Sequence, residues 1–210
     1  MVISDSHRFV FIHIQKTGGT SLSRVLVESL DAQHHGGTES HTRLSRAHAL
    51  YPRTRTYRAA AFVRNPWDRL VSWYSEILQN GRRVPWWERL WNRRYNLLRH
   101  QVLARTDSFE SFLRLGPGFR SRLGYHPFRT NQVDWLTDGD GRMAVDFVGR
   151  FERLEHDARE LCAMFGVEPN SIPHLNASVR RNYRDYYTPE TRDMVARRFQ
   201  RDVEAFGYDF

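Results

Sequence analysis

The residues best suited to chemistry lie between positions 13 and 21, where the chain runs His-Ile-Gln-Lys-Thr-Gly-Gly-Thr-Ser. Lys16 is the only lysine, so a compact ammonium stands here in a chain that otherwise uses arginine. Glycines allow close backbone approach and positive φ, and hydroxyl and amide groups donate hydrogen bonds. Between a strand and a helix, these groups predict a cradle for a phosphate or sulfate group.

The hydrophobic pattern alternates between strand-like and helix-like segments. This βαβ order favours a parallel sheet flanked by helices. We therefore predict an α/β fold with a P-loop-like parallel sheet, in a single domain over residues 1–210 with a helical insertion at about 82–128. The predicted strands are 8–15, 57–64 and 144–149, and the predicted helices are 20–30, 42–50, 67–78, 153–165 and 189–206.

A second candidate site follows the second predicted strand. Arg64 ends that strand and Ser72 lies on the next helix, at the edge where open α/β sheets bind their ligands. The Arg64 guanidinium offers a fork for a phosphate, and Ser72 can add a hydroxyl contact. In the predicted helix at 20–30, Thr20 or Ser21 can act as the N-cap.

Composition limits the possible partners and the compartment. The net charge of +8 favours anionic partners, and 40% hydrophobic content indicates a folded chain, with disorder expected only at the N-terminus and around 31–45. Cys162, the one cysteine, lies in a helical apolar pattern and is expected in the core. No membrane-spanning segment or signal-peptide pattern is present, so a reducing cytoplasm is the expected compartment.

The two candidate sites resemble those of sulfotransferases that use 3′-phosphoadenosine 5′-phosphosulfate (PAPS). The loop at 13–21 is similar to the 5′-phosphosulfate loop of the heparan sulfate 6-O-sulfotransferases. Residues 63–72, Val-Arg-Asn-Pro-Trp-Asp-Arg-Leu-Val-Ser, resemble the 3′-phosphate motif of the carbohydrate sulfotransferases and their bacterial relatives. Segments 147–152, 175–187 and 206–210 resemble the same family, whereas 82–128 carries no matched motif.

This resemblance implies a role for each matched residue. Lys16 would neutralise charge on the bridging oxygen as the sulfuryl group departs, and Arg64 and Ser72 would bind the 3′-phosphate. A loop at 178–181 would close over the nucleotide. The implied PAPS-binding residues are Lys16, Thr17, Gly18, Gly19, Thr20, Ser21, Arg64, Ser72, Ser178, Arg180 and Arg181.

Sulfuryl transfer to a hydroxyl also requires a base, and histidine titrates in the right range. The placement of His41 before a Thr and a short helix resembles that of the relatives' base, so His41 is our candidate, with His48 and then His35 as alternatives. A metal site from His34, His35 and His41 is a further alternative, although no carboxylate or cysteine stands beside them at zinc-like spacing. The scheme itself needs no metal.

The acceptor is expected to be a carbohydrate or another small molecule with a hydroxyl. Aromatic residues among arginines at 86–95 could stack on sugars, form a core helix or form a homo-oligomer surface. Two rival functions have different requirements. A P-loop kinase or NTPase would need Walker-type spacing, which the loop lacks, and a nucleic-acid-binding module would use the charge without catalysis.

Overall fold

The computed structural model describes residues 1–35, 41–83, 97–121, 125–169 and 181–210. The chain divides into two compact units, the first comprising Met1–Arg64 and Gln132–Ala177 and the second Asn65–Asn131 and Ser178–Phe210. The single domain of residues 1–210 stays a prediction.

The first unit contains one sheet, whose described strands have the order β3-β1-β2-β4-β5. The three strands β2, β4 and β5 are parallel, and β1 is antiparallel to both β2 and β3. The α/β class is therefore confirmed, but the sheet is mixed rather than wholly parallel. The strands are β1 (Val2–Ser4), β2 (Phe9–Ile12), β3 (Gln33–His34), β4 (Arg58–Val63) and β5 (Phe147–Arg150).

The N-terminal residues correct one expectation. We predicted disorder there, whereas Met1 is only 2% exposed and the next three residues form β1. The pattern was missed because β1 is three residues long, which is too short to show an alternation. By contrast, β2 is buried along its whole length, as expected for an inner strand of a covered sheet.

In the described part of the first unit, three α-helices accompany this sheet. They are α1 (Gly19–Ser29), α2 (Leu44–Leu50) and α6 (Leu154–Ala163). The apolar faces of α1 and α6 share one core cluster with β2 and β4, and Cys162 lies in it fully buried, as predicted. Its thiol pKa is raised by burial, which disfavours the thiolate.

The second unit is helical. Its elements are α3 (Pro66–Arg83), α4 (Leu97–Arg105), α5 (Phe109–Leu115), α7 (Pro189–Arg198) and α8 (Gln200–Phe206). Helices α4 and α5 confirm the helical character of the insertion where the structure describes it. The single helix predicted at 189–206 is wrong, because Phe199 leaves the helical conformation with φ −112° and separates α7 from α8. Its side chain is buried in the core of this unit.

Among the residues that the structure describes, no helix is both long enough and apolar enough to cross a bilayer.

Candidate active site

The loop that carries Lys16 follows the carboxyl end of β2 in the first unit. It turns sharply because Lys16 and Gly18 both have left-handed backbones, with φ of 69° and 78°. A left-handed conformation is costly for a residue with a Cβ, so Lys16 is held there by its surroundings. The turn directs the chain straight into α1, so that the lysine lies next to a helix N-terminus.

Helix α1 begins without a side-chain cap. Thr20 and Ser21 were predicted to cap it, but Gly18 occupies the N-cap position. Glycine has no side chain to accept a hydrogen bond from the first-turn amides, and these carry the positive end of the helix dipole. The helix start is therefore chemically suited to an anion, together with the exposed Thr20 and the buried Ser21.

Thr17 and Gly19 make contacts that the sequence did not predict. The Thr17 hydroxyl is buried and donates to the carbonyl oxygen of Ile14 at 2.9 Å, so the group that Thr17 offers an anion is its amide. Gly19 lies directly against the ring of His13. A Cβ at Gly19 would stand 1.9 Å from Cδ2 of that ring, so only glycine fits.

Arg64 connects the end of β4 to this loop. Its Nη1 donates to the carbonyl oxygen of Lys16 at 3.1 Å, and its Cζ lies 3.8 Å from the centroid of the Phe151 ring. The contact with Phe151 follows from the strand register, because Val63 pairs with Arg150 and each partner's next residue leaves the sheet at the same level. Arg64 thus supports the backbone of Lys16 as well as offering a cation.

Gln132 fixes the backbone of Arg64 from a distant point in the chain. Its side-chain Oε1 accepts from the Arg64 N–H at 2.9 Å, and its Nε2 donates to the Arg64 carbonyl at 2.8 Å. Gln132 is fully buried, so both backbone groups are satisfied away from water. Sequence reasoning missed Gln132 and Phe151, since neither belongs to a local pattern near Arg64.

His41 lies beside the same loop. Its Nδ1 is 3.0 Å from the carbonyl oxygen of His13, and the two rings meet edge to face with centroids 4.5 Å apart. A carbonyl only accepts, so Nδ1 carries the proton and Nε2 of the neutral ring has the lone pair. Burial lowers the pKa of His41, an effect partly offset by the hydrogen bond to His13.

The alternative histidines have other surroundings. His48 Nδ1 lies 3.0 Å from Oγ1 of Thr54, and that hydroxyl already donates to the Tyr51 carbonyl, so His48 donates to it. The ring of His35 packs edge to face against Tyr51 at 5.1 Å. Of the three candidate bases, His41 is the one for which a hydrogen bond to the Lys16 loop is described.

The remaining predicted site residues lie in the second unit or outside the description. Ser72 is buried on α3, and Arg181 is exposed with its Cζ 5.4 Å from the Tyr186 ring centroid. Ser178 and Arg180 lie outside the described residues, as do the tryptophans of the 86–95 segment. Their predicted roles therefore stay predictions.

In the described part of the chain, one cluster has the composition of a metal site. It consists of His156, Asp157 and Glu160 on α6, and not of His34, His35 and His41, the metal site considered as an alternative. Both carboxylate oxygens of Asp157 already have partners within the protein. Its Oδ2 accepts from the Arg150 N–H at 2.8 Å, and its Oδ1 lies 3.0 Å from His156 Nδ1. We interpret Asp157 as a link between β5 and α6.

Comparison with known proteins agrees with the resemblance found in the sequence. A family model described as "Sulfotransferase family" matches residues 1–209. Carbohydrate sulfotransferase 10 of Xenopus laevis is 25% identical over 236 residues, covering 98% of this chain and 66% of that protein. Carbohydrate sulfotransferase 9 of Homo sapiens is 25% identical over 241 residues, covering 98% of this chain and 52% of that protein.

The chain thus spans between about half and two thirds of the length of the curated relatives that it matches. No solved structure matches it significantly. Since the family match extends over almost every residue, the chain belongs to the sulfotransferase family.

Proposed function

We propose that this protein transfers a sulfuryl group from PAPS to a hydroxyl of a carbohydrate. The observation that carries the proposal is the convergence of Lys16, Arg64 and His41 around one loop at the carboxyl edge of the parallel strands. A cation, a second cation and a base with a defined tautomer are the groups that this reaction needs. Family membership and the names of the relatives support the same reaction.

The donor would bind through its two charged ends. The loop from Lys16 to Ser21 would hold the 5′-phosphosulfate with backbone amides, the lysine and the Thr20 and Ser21 hydroxyls. Arg64 and Ser72 would bind the 3′-phosphate, and the 178–181 segment with Ser178, Arg180 and Arg181 would add contacts. The hydrogen bond from Arg64 to the Lys16 carbonyl would couple the two ends of the donor.

The reaction is an in-line displacement at sulfur. The acceptor oxygen forms a bond to sulfur while the bond from sulfur to the bridging oxygen breaks, and 3′,5′-ADP leaves with that electron pair. His41 Nε2 takes the acceptor proton, and Lys16 with the loop amides stabilises the negative charge on the departing oxygen. Positioning and electrostatics provide most of the acceleration, as in phosphoryl transfer.

The proposal names the class of acceptor, a carbohydrate, but no particular sugar. It is supported by the two relatives compared above, each of which is named a carbohydrate sulfotransferase. The insertion at 82–128 would contribute to acceptor binding.

Calorimetric titration with 3′,5′-ADP, ATP and 5′-AMP tests the donor site. We expect 3′,5′-ADP to bind more tightly than 5′-AMP and ATP, because Arg64 and Ser72 recognise the 3′-phosphate. Arg64→Ala should weaken 3′,5′-ADP binding, whereas Arg24→Ala, which removes an exposed arginine paired with Glu28 on α1, should not. Preference for ATP with Mg²⁺ would favour the kinase alternative instead.

Transfer itself is tested with ³⁵S-labelled PAPS and a panel of neutral and acidic oligosaccharides. We expect labelled sugar with the wild-type protein and a large loss with Lys16→Ala. Lys16→Arg should restore little activity, since guanidinium is larger and planar. If donor binds but no sugar is labelled, the acceptor class is wrong. Salt-dependent oligonucleotide binding without donor binding would favour the nucleic-acid module.

A further inference from the structure

His13 has no role in the proposed reaction, yet it contacts both the base and the donor loop. Its carbonyl oxygen accepts from His41 Nδ1 at 3.0 Å, and its ring meets the His41 ring with centroids 4.5 Å apart. The same ring lies against Gly19, the first residue of α1. One residue therefore connects the candidate base to the start of the anion cradle.

We propose that His13 is a positioning residue, which holds the His41 ring with its Nε2 unprotonated and keeps it in register with the Lys16 loop. The inference rests on the proposed function and deepens it by adding a residue to the same site. His13 acts through His41, so it is not assigned contact with the substrates.

The two contacts restrict different motions of His41. The hydrogen bond to the His13 carbonyl fixes the tautomer and anchors one ring atom, but it permits rotation of the imidazole about that bond. The edge-to-face contact with the His13 ring, at an interplanar angle of 63°, opposes that rotation. Together they define the direction of the Nε2 lone pair, as an orienting group does for a catalytic histidine.

The contact with Gly19 makes this orientation depend on the loop. A Cβ at Gly19 would come within 1.9 Å of His13 Cδ2 and 2.1 Å of its Nε2, so the ring fills the space next to the helix start. His13 also leads directly into the chain that turns at Lys16. A shift of the loop would therefore move the ring and, with it, His41.

Burial favours the neutral form of both rings, and neighbouring cations add to this effect. Burial lowers the pKa of His13 well below its usual range, and a charged His41 lowers it further. Among the described residues, a protonated His34 on β3 and a protonated Met1 amino group also lower the pKa of His13. Burial lowers the pKa of the Met1 amino group itself to about 6. Each of these effects on the rings opposes protonation, which leaves His41 able to accept a proton.

Two variants disturb the His13 ring by different routes. His13→Ala removes it and keeps the backbone carbonyl, whereas Gly19→Ala displaces it and changes no titratable group. For both we expect kcat to fall about 10- to 100-fold, the range seen when an orienting partner is lost. The KM for PAPS and the Kd for 3′,5′-ADP should change by less than about threefold in His13→Ala, since this ring is not a donor contact.

Two readouts distinguish positioning from a general structural role. Opening the site to water should move the acidic limb of kcat/KM to higher pH in His13→Ala, because less burial raises the pKa of His41. Long-range ¹⁵N–¹H spectra of histidine-labelled protein should show the same rise for His41 directly. The spectra need no turnover. His156→Ala, which removes an exposed histidine on α6, should change neither readout.

Unchanged kcat, or unchanged His41 resonances and titration in both ring variants, would overturn the proposal. It would also be overturned if His41→Ala retained turnover while His13→Ala lost it, since His13 would then be the base. Failure of the proposed function is separate: the wild type would transfer no sulfuryl group, while the titration of His41 in His13→Ala would still decide whether the rings are coupled.

Discussion

At the scale of the residue, the candidate site contains a histidine whose tautomer is fixed by a backbone carbonyl. The bond from His41 Nδ1 to the His13 carbonyl leaves Nε2 as the basic atom. The carbonyl fixes the tautomer and orientation of His41, as a carboxylate partner does for many catalytic histidines. Unlike a carboxylate, it adds no negative charge that would raise the pKa of His41. Since burial also lowers its pKa, His41 is expected to be neutral at physiological pH, as the proposed base must be.

Replacing this base should abolish most of the turnover without loss of donor binding. We expect His41→Gln to lower kcat about 10²- to 10⁴-fold, the usual contribution of a general base. The Kd for 3′,5′-ADP, measured by calorimetry, should be nearly unchanged. His48→Gln and His35→Gln should retain turnover, because each lies in a contact with Thr54 or Tyr51. Full activity of His41→Gln would remove it from the mechanism.

The pH dependence has a defined direction. A base must be unprotonated to act, and the pKa of His41 lies below its ordinary value of about 6.5 because of burial. The kcat/KM for PAPS should therefore be flat through pH 7 and fall only as the pH drops below about 6.5. A profile whose acidic limb lies above that value would contradict the neutral, buried histidine. Steady-state rates in buffers of constant ionic strength provide the measurement.

Much of this site could be predicted from short stretches of sequence. Lys16, Arg64 and His41 belong to local patterns, and the structure places all three around one loop. Gln132 could not be found in this way, because its contact with Arg64 spans 68 positions. The side-chain cap was wrong for a physical reason: Gly18 takes the N-cap in a left-handed turn, and the hydroxyl residues follow inside the helix.

At the scale of the element, the site is built where β2, β4 and β5 end together. Gln132 fixes the backbone just after β4, because its side chain hydrogen-bonds both the N–H and the carbonyl of Arg64. The side-chain amide of Gln132 thus makes the two hydrogen bonds that the backbone of a neighbouring strand would make. Its removal leaves a donor and an acceptor unsatisfied inside the protein.

Gln132→Ala should therefore lower stability and weaken donor binding. We expect the free energy of unfolding to fall by about 2 kcal/mol or more, measured by urea denaturation, since two buried backbone groups lose their partners. Gln101→Ala is a matched control, because Gln101 pairs in the same way with the backbone of Arg120 but at the surface. Equal effects of the two variants would contradict the importance of burial.

Asp157 performs a similar task between β5 and α6. Its carboxylate is 1% exposed and accepts from the Arg150 N–H and from the Arg153 guanidinium. We expect Asp157→Ala to lower the free energy of unfolding by about 1 to 3 kcal/mol in thermal or urea denaturation. His156→Ala should cost less than about 0.5 kcal/mol, because that side chain is exposed. An unchanged free energy of unfolding in Asp157→Ala would show that Asp157 does not stabilise the link between β5 and α6.

The elements themselves were predictable where their patterns are long. The inner strands β2 and β4 and the helices α1 and α3 have apolar runs or stripes that identify them. Strand β3 has only two exposed residues, so its pairing is set by the neighbouring β1 and not by its own sequence. The break at Phe199 was hidden because a buried aromatic residue fits a continuous apolar stripe equally well.

At the scale of the whole molecule, charge selects the class of partner but not the reaction. A net charge of +8 suits PAPS, an acidic sugar or a nucleic acid equally. The family match over residues 1–209 identifies a sulfotransferase, which composition could not. That the segment at 82–128 binds the acceptor stays a prediction.

The demand for a metal separates the sulfotransferase proposal from a P-loop kinase. Phosphoryl transfer from ATP requires Mg²⁺ to neutralise the phosphates, whereas in the proposed reaction Lys16, Arg64 and the amides at the start of α1 would supply the positive charge. We therefore expect PAPS turnover to change by less than about twofold on addition of EDTA. The measurement is transfer of ³⁵S to sugar with and without chelator. A loss of activity that Mg²⁺ restores would mean that the cradle needs a cation beyond its own residues, and the charge balance argued for Lys16 would be wrong.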